Sequence, residues 1–112
     1  MDVAVMVKEL REILGPRLLA FVAGVKETRA VHEWAEGDRE IRSAGVVDRL
    51  RVTYQVAKLI TMRDDARVVQ AWLQGLNPKL GDRSPARLLR DGDLEETGPE
   101  VLAAARDFAA AG

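Results

Sequence analysis

Few side chains in this sequence are equipped for chemistry. His32 is the single histidine, the residue type whose charge changes near neutrality. A general-base role needs a nucleophile beside it, and no serine, cysteine or second histidine lies nearby, so His32 reads as a polar surface residue. Asp64 and Asp65 could suggest a carboxylate metal site. Adjacent residues on a helix point about 100° apart, however, and a cap followed by a first-turn charge explains both. Cysteine is absent, which excludes a disulfide framework, a Cys-based zinc site and a cysteine nucleophile. No residue is therefore assigned to catalysis, to a metal or to a cofactor, and the chain is not expected to be an enzyme.

The remaining composition bounds the class. The 112 residues carry 17 Lys plus Arg against 18 Asp plus Glu, so no global field draws the chain to nucleic acid or to an anionic membrane. With 47% apolar and 31% charged residues, it has the balance of one globular domain. No apolar run approaches the roughly 18 residues of a membrane span, and the opening MDVAVMVKELRE meets charge too early for a secretory signal. The expected location is the cytoplasm.

The elements that must position any site read as helices, because apolar residues recur at three and four. Val3, Met6, Val7, Leu10, Ile13 and Leu14 give the first helix its apolar side, ending before Gly15-Pro16. A second runs from Pro16 to a tight turn at Gly24, with Leu18, Leu19, Phe21 and Val22 inward. A third, over about residues 27 to 36, buries Ala30, Val31 and Trp34 and closes at Gly37. Residues 38 to 44 form a connector. A long central helix over about 45 to 62 has a stripe wide enough to pack on two sides. Asp64 is expected to cap a shorter helix bearing Val68, Val69, Trp72, Leu73 and Leu76, which stops at Asn77-Pro78. Ser84-Pro85 opens a short helix closed by Asp91-Gly92. Thr97 and Glu100 have capping-box spacing, so the last helix is expected to start there and to present Val101, Leu102, Ala105, Phe108 and Ala109. The expected fold is all-α, about seven helices, with residues 1–44 as a trihelical part joined through the long helix to a small helical part within 45–112.

Helices two and three, with the turn at Gly24, have the order of a helix-turn-helix. The stretch LLAFVAGVKETRAVHEWAEG resembles the Xre/phage-repressor type, with Ala20, Gly24, Val25, Val31, Trp34 and Gly37 on that family's structural positions. It departs from the pattern at Lys26, where a serine or threonine N-cap is usual. On a duplex, Lys26 and Arg29 would serve phosphate or guanine and Thr28 a phosphate oxygen, with His32 beside them. Residues 1–44 hold 7 basic and 8 acidic side chains, so DNA affinity is expected to be weak and salt-sensitive, or to need a dimer. A purely structural use of the trihelical unit is an equal alternative.

The second half resembles the toxin-binding domain of Xre/MbcA/ParS-like antitoxins. WLQGLNPKLGDRSPARLLRDGD carries the matching pattern through Trp72, Asn77, Pro78, Leu80, Gly81, Ser84, Pro85, Leu88 and Leu89. Their spacing also makes local sense: Asn77 can bond backbone in a turn, Gly81 permits positive φ, and the leucines pin a short helix to the core. Trp72, Leu88 and Leu89 read as core rather than contact.

That resemblance implies an antitoxin of a type II toxin–antitoxin system. Its partner would be a RES-domain, NAD-consuming toxin whose active-site entrance it covers with its C-terminal region. The resemblance further implies homodimers within a larger assembly and binding of the operon's own promoter. The residues themselves add a charge step. Lys79, Arg83, Arg87 and Arg90 against Asp82 are followed by Asp91, Asp93, Glu95, Glu96 and Glu100. Arg87, Arg90, Asp91, Asp93, Arg106 and Phe108 are the candidate toxin contacts. The alternative function is a stand-alone transcriptional regulator whose C-terminal helices dimerise.

Overall fold

Where glycine or a capping side chain interrupts the apolar period, the backbone turns, and these interruptions set the helix boundaries. The computed structural model describes residues 1–111. In chain order it contains α1 (Val3–Leu14), α2 (Pro16–Ala23), α3 (Thr28–Glu36), α4 (Ala44–Thr61), α5 (Ala66–Gln74), a 3-10 turn (Pro78–Leu80), α6 (Pro85–Asp91) and α7 (Leu94–Ala111). Seven α-helices and no strand occur among the described residues; Asn77 and Arg83 form an isolated antiparallel bridge. The all-α expectation is met.

Gly24 and Gly37 follow α2 and α3 with φ of +82° and +78°, the left-handed termination that glycine adopts without strain. Ser43 Oγ accepts from Val46 N at 3.2 Å to open α4, and Ser84 Oγ accepts from Arg87 N at 3.2 Å to open α6. Pro85 occupies the first turn of α6, where a missing N–H costs little.

Three boundaries differ from the expectation. Asp65, not Asp64, caps α5: its Oδ1 accepts from Arg67 N and Val68 N at 3.0 and 3.3 Å. Asp64 N is still bonded to Ile60 O at the end of α4. α5 stops at Gln74, because Gly75 leaves the helix with extended angles. α7 begins at Leu94, three residues ahead of the supposed capping box. Asp93 wins the competition: its Oδ1 accepts from Glu95 N at 3.2 Å, and its carbonyl accepts both Thr97 N and Thr97 Oγ1. Thr97 is therefore a buried residue inside α7, and Pro99 lies within that helix too.

One core runs through the chain. α4 packs on α7 and also meets α1, α2 and α5, while α1 touches α5 and α2 touches α6. Leu10, Leu19, Leu50, Ile60, Leu73 and Leu89 are fully buried in it, each contributing about 1.5–3 kcal/mol by leaving water. Thr53 is buried among them, its hydroxyl donating back to Arg49 O at 2.8 Å. No helix among the described residues is long and apolar enough to cross a membrane.

Candidate functional site

A surface groove forms where the end of α5, the 3-10 turn and the end of α7 converge. Its geometry begins with Asn77. Asn77 Oδ1 accepts from Lys79 N at 3.0 Å, its carbonyl accepts from Leu80 N and Asp82 N at 2.9 Å each, and its N–H donates to Arg83 O at 3.1 Å. Gly81 and Asp82 close this loop with φ of +67° and +59°. The loop directs Leu80 into the core and leaves Pro78 and Lys79 exposed. Asn77 and Gly81 thus do what the sequence assigns them.

The groove is lined by Trp72, Leu76, Pro78, Lys79, Asp107 and Phe108 and encloses about 480 Å³. Trp72 and Phe108 meet with ring centroids 6.2 Å apart and planes tilted by 42°, within the favoured range of aromatic pairs. Phe108 is 39% exposed and Leu76 74% exposed. Lys79 Nζ and Asp107 Oδ2 pair at 2.9 Å at the rim, and Arg63 Nη1 holds the end of α7 through Ala109 O at 2.9 Å. Exposed apolar side chains gathered in one concave place make this groove the candidate interaction surface.

Leu76 corrects an expectation. Its spacing puts it on the buried stripe of α5, but the helix has ended two residues earlier and the side chain stands in solvent. Trp72 is half-buried and shares its exposed part with the groove, whereas Leu88 and Leu89 are core. Glycine at 75 directly before an apolar residue and Asn-Pro is the signal that could have identified Leu76.

The structure separates the candidate contacts into two groups, Arg106 and Phe108 toward the end of α7 and Arg87, Arg90 and Asp91 on α6, with Asp93 just after α6. Phe108 lies in the groove, and Arg106 is exposed two residues before it. Asp93 is the cap of α7. Arg87 is exposed and lies 4.0 Å from Asp91, which also pairs with Arg90 at 3.6 Å. Arg90 is bound inward: Nη1 donates to Phe21 O at 2.9 Å, and the guanidinium sits 4.5 Å from the centre of the Phe21 ring.

In the first half, α2, the Gly24 turn and α3 form a helical pair, with Val25 N bonded to Ala20 O at 3.0 Å. Lys26, Arg29 and His32 are exposed, and Thr28 is half-buried. Much of the charge on α3 is engaged within the chain. Glu33 pairs with Arg29 at 3.8 Å and Arg39 at 3.7 Å. Arg11 donates to His32 Nδ1 at 3.0 Å and pairs with Glu36 at 3.6 Å.

No protein-family model matches the chain, and no curated protein matches it. Among solved structures, it is similar to a chain in the crystal structure of the M. tuberculosis MbcT-MbcA toxin-antitoxin complex. The likeness has a TM-score of 0.69 at 24% sequence identity and covers 96% of this chain and 97% of that chain. A likeness of this extent shows a shared fold along nearly the whole molecule.

Proposed function

We propose that this protein is an antitoxin that neutralises a RES-domain, NAD-consuming protein toxin by covering its active site. The observation that carries the reading is the exposed apolar groove of Trp72, Leu76, Pro78 and Phe108. It lies in the segment whose motifs resemble an antitoxin toxin-binding domain, on a fold similar to a chain from a toxin–antitoxin complex. The mechanism is steric. An apolar patch anchors the partner, and the helical body prevents substrate entry without any bond being made or broken by the antitoxin. A specific contact of this kind buries at least about 1,000 Å², so it extends beyond the groove to Arg106 on α7 and to Arg87, Arg90, Asp91 and Asp93. Arg90 contributes there by holding α6 in place, since its guanidinium is already engaged.

Promoter binding by a homodimer is the second role in this proposal, through Lys26, Thr28, Arg29 and His32 on the helix-turn-helix. Because Glu33 engages Arg29 and Arg39, phosphate must compete with an internal carboxylate, so binding is weak and strongly salt-dependent.

The test is co-expression with the protein encoded by the adjacent gene. The proposal expects that protein to arrest growth alone, to be harmless with this chain present, and to co-elute with it. Equal toxicity with and without this chain, and separate elution, would overturn the reading.

A further inference from the structure

Next to the apolar groove, and bordered like it by the end of α5, a recess of about 330 Å³ lies between α2, α5 and α6. Arg17 and Arg87 stand at it, Leu18, Phe21 and Ala86 make its apolar surface, and Gln74 and Ser84 complete it; no carboxylate lines it. We propose that this basic recess receives an acidic segment of the protein partner that the groove anchors, which rests on the antitoxin reading above.

Three observations converge on that occupant. The first is uncompensated charge. Arg17 is exposed and makes no ion pair among the described residues, and Arg87 has only the 4.0 Å contact with exposed Asp91. In a chain of net charge −1, two arginines at one recess whose lining holds no carboxylate form a local positive field that the single 4.0 Å contact with Asp91 only partly offsets. Arg17 also lies in the first turn of α2, the end of a helix where the backbone dipole favours an anion over another cation.

The second is the apolar surface between the arginines. Phe21 is half-buried beneath the Arg90 guanidinium, and Leu18 lies beside it. A carboxylate carried on a peptide brings its own methylenes and neighbouring side chains to such a surface, so the recess suits an acidic peptide segment better than a bare polar anion. Arginine matches a carboxylate in a planar, two-pronged geometry.

The third is continuity. Gln74 borders the recess, and Gly75 and Leu76, the next two residues, line the apolar groove. The end of α5 thus borders both sites, the basic one through Gln74 and the apolar one through Gly75 and Leu76. A partner seated on Leu76 spans both, with an apolar knob in the groove and an acidic residue at Arg17 and Arg87.

The experiment uses the full-length chain and the protein encoded by the adjacent gene, with association and dissociation rates measured across a salt series. Both arginines are exposed, so the double variant Arg17→Glu/Arg87→Glu keeps the fold. Its association is expected to slow by about tenfold at low ionic strength, a difference that shrinks as salt screens the charges. Leu76→Glu is expected to accelerate dissociation instead. Replacing an acidic residue of the partner by lysine is expected to restore association with the double variant. An unchanged rate and salt slope for Arg17→Glu/Arg87→Glu, beside a weakened Leu76→Glu complex, overturns the recess and leaves the antitoxin reading standing. Absence of any complex overturns both. Loss of duplex-DNA binding by the double variant, with partner binding intact, assigns the recess to nucleic acid and overturns the proposal.

Discussion

Asp65 shows how one side chain fixes a boundary and couples it to pH. Its carboxylate accepts backbone N–H bonds from Val68 and Arg67, and the Val68 bond, with the Arg67 charge assisting, holds its pKa below the ordinary 3.8. A carboxyl whose folded pKa is depressed adds stability above its unfolded value and loses it as pH falls through the folded one. Asp65→Asn keeps a capping oxygen and removes the titration. The variant is therefore expected to be less stable than the parent near neutrality and to approach it in urea unfolding carried out well below pH 3.8. A stability gap that persists undiminished in acid would show that Asp65 acts through something other than its charge. Residues with such local duties were partly legible in advance: Asn77, Gly81 and Ser84 act as their types imply, because capping and positive φ are decided within a few residues. Asp64 and Asp65 were not separable on that basis, since either can cap and only the end of α4 decides between them.

At the scale of elements, helix periods were readable, while helix ends depended on competition between neighbours. Thr97 and Glu100 have the spacing of a capping box, but Asp93 and Leu94 start α7 earlier, and Thr97 is buried within it. α5 shows the opposite error, for Gly75 ends it before Leu76. That shortfall of two residues turns a supposed core leucine into the exposed edge of the candidate site. Links between elements were not legible at all, because they pair residues far apart in sequence. Arg49 Nη1 donates to Val22 O and Ala23 O at 3.3 and 3.0 Å, and Arg90 reaches Phe21 O. Together they reach the last carbonyls of α2 from α4 and α6, at the helix end where the dipole also favours cations. Arg90→Ala is expected to destabilise the fold by about 2 kcal/mol in denaturant unfolding, from a lost charged hydrogen bond and a lost contact with the Phe21 ring. Arg90→Lys should recover only part of this, as an ammonium lacks the planar fork. A loss within a few tenths of a kcal/mol for Arg90→Ala would place the residue outside the structural framework.

Over the whole molecule, the all-α architecture was legible from periodicity. The shared core was less so. α1 packs on α5 and α2 on α6, so the α2–α3 pair and the groove at α7 are carried on one continuous body. That body carries the apolar groove and the basic recess, both bordered by the end of α5, while His32 is bonded to Arg11. In the proposed antitoxin role, occupation of the partner through the groove is the decisive step. Titrating the NAD turnover proposed for the purified neighbour-encoded protein with this chain and with Leu76→Glu, a substitution at a 74% exposed position, measures that step. Stoichiometric loss of NAD turnover is expected with the parent chain, and markedly weaker inhibition with the variant, whose circular dichroism stays unchanged. Full turnover at saturating parent chain, or equal inhibition by Leu76→Glu, would contradict it.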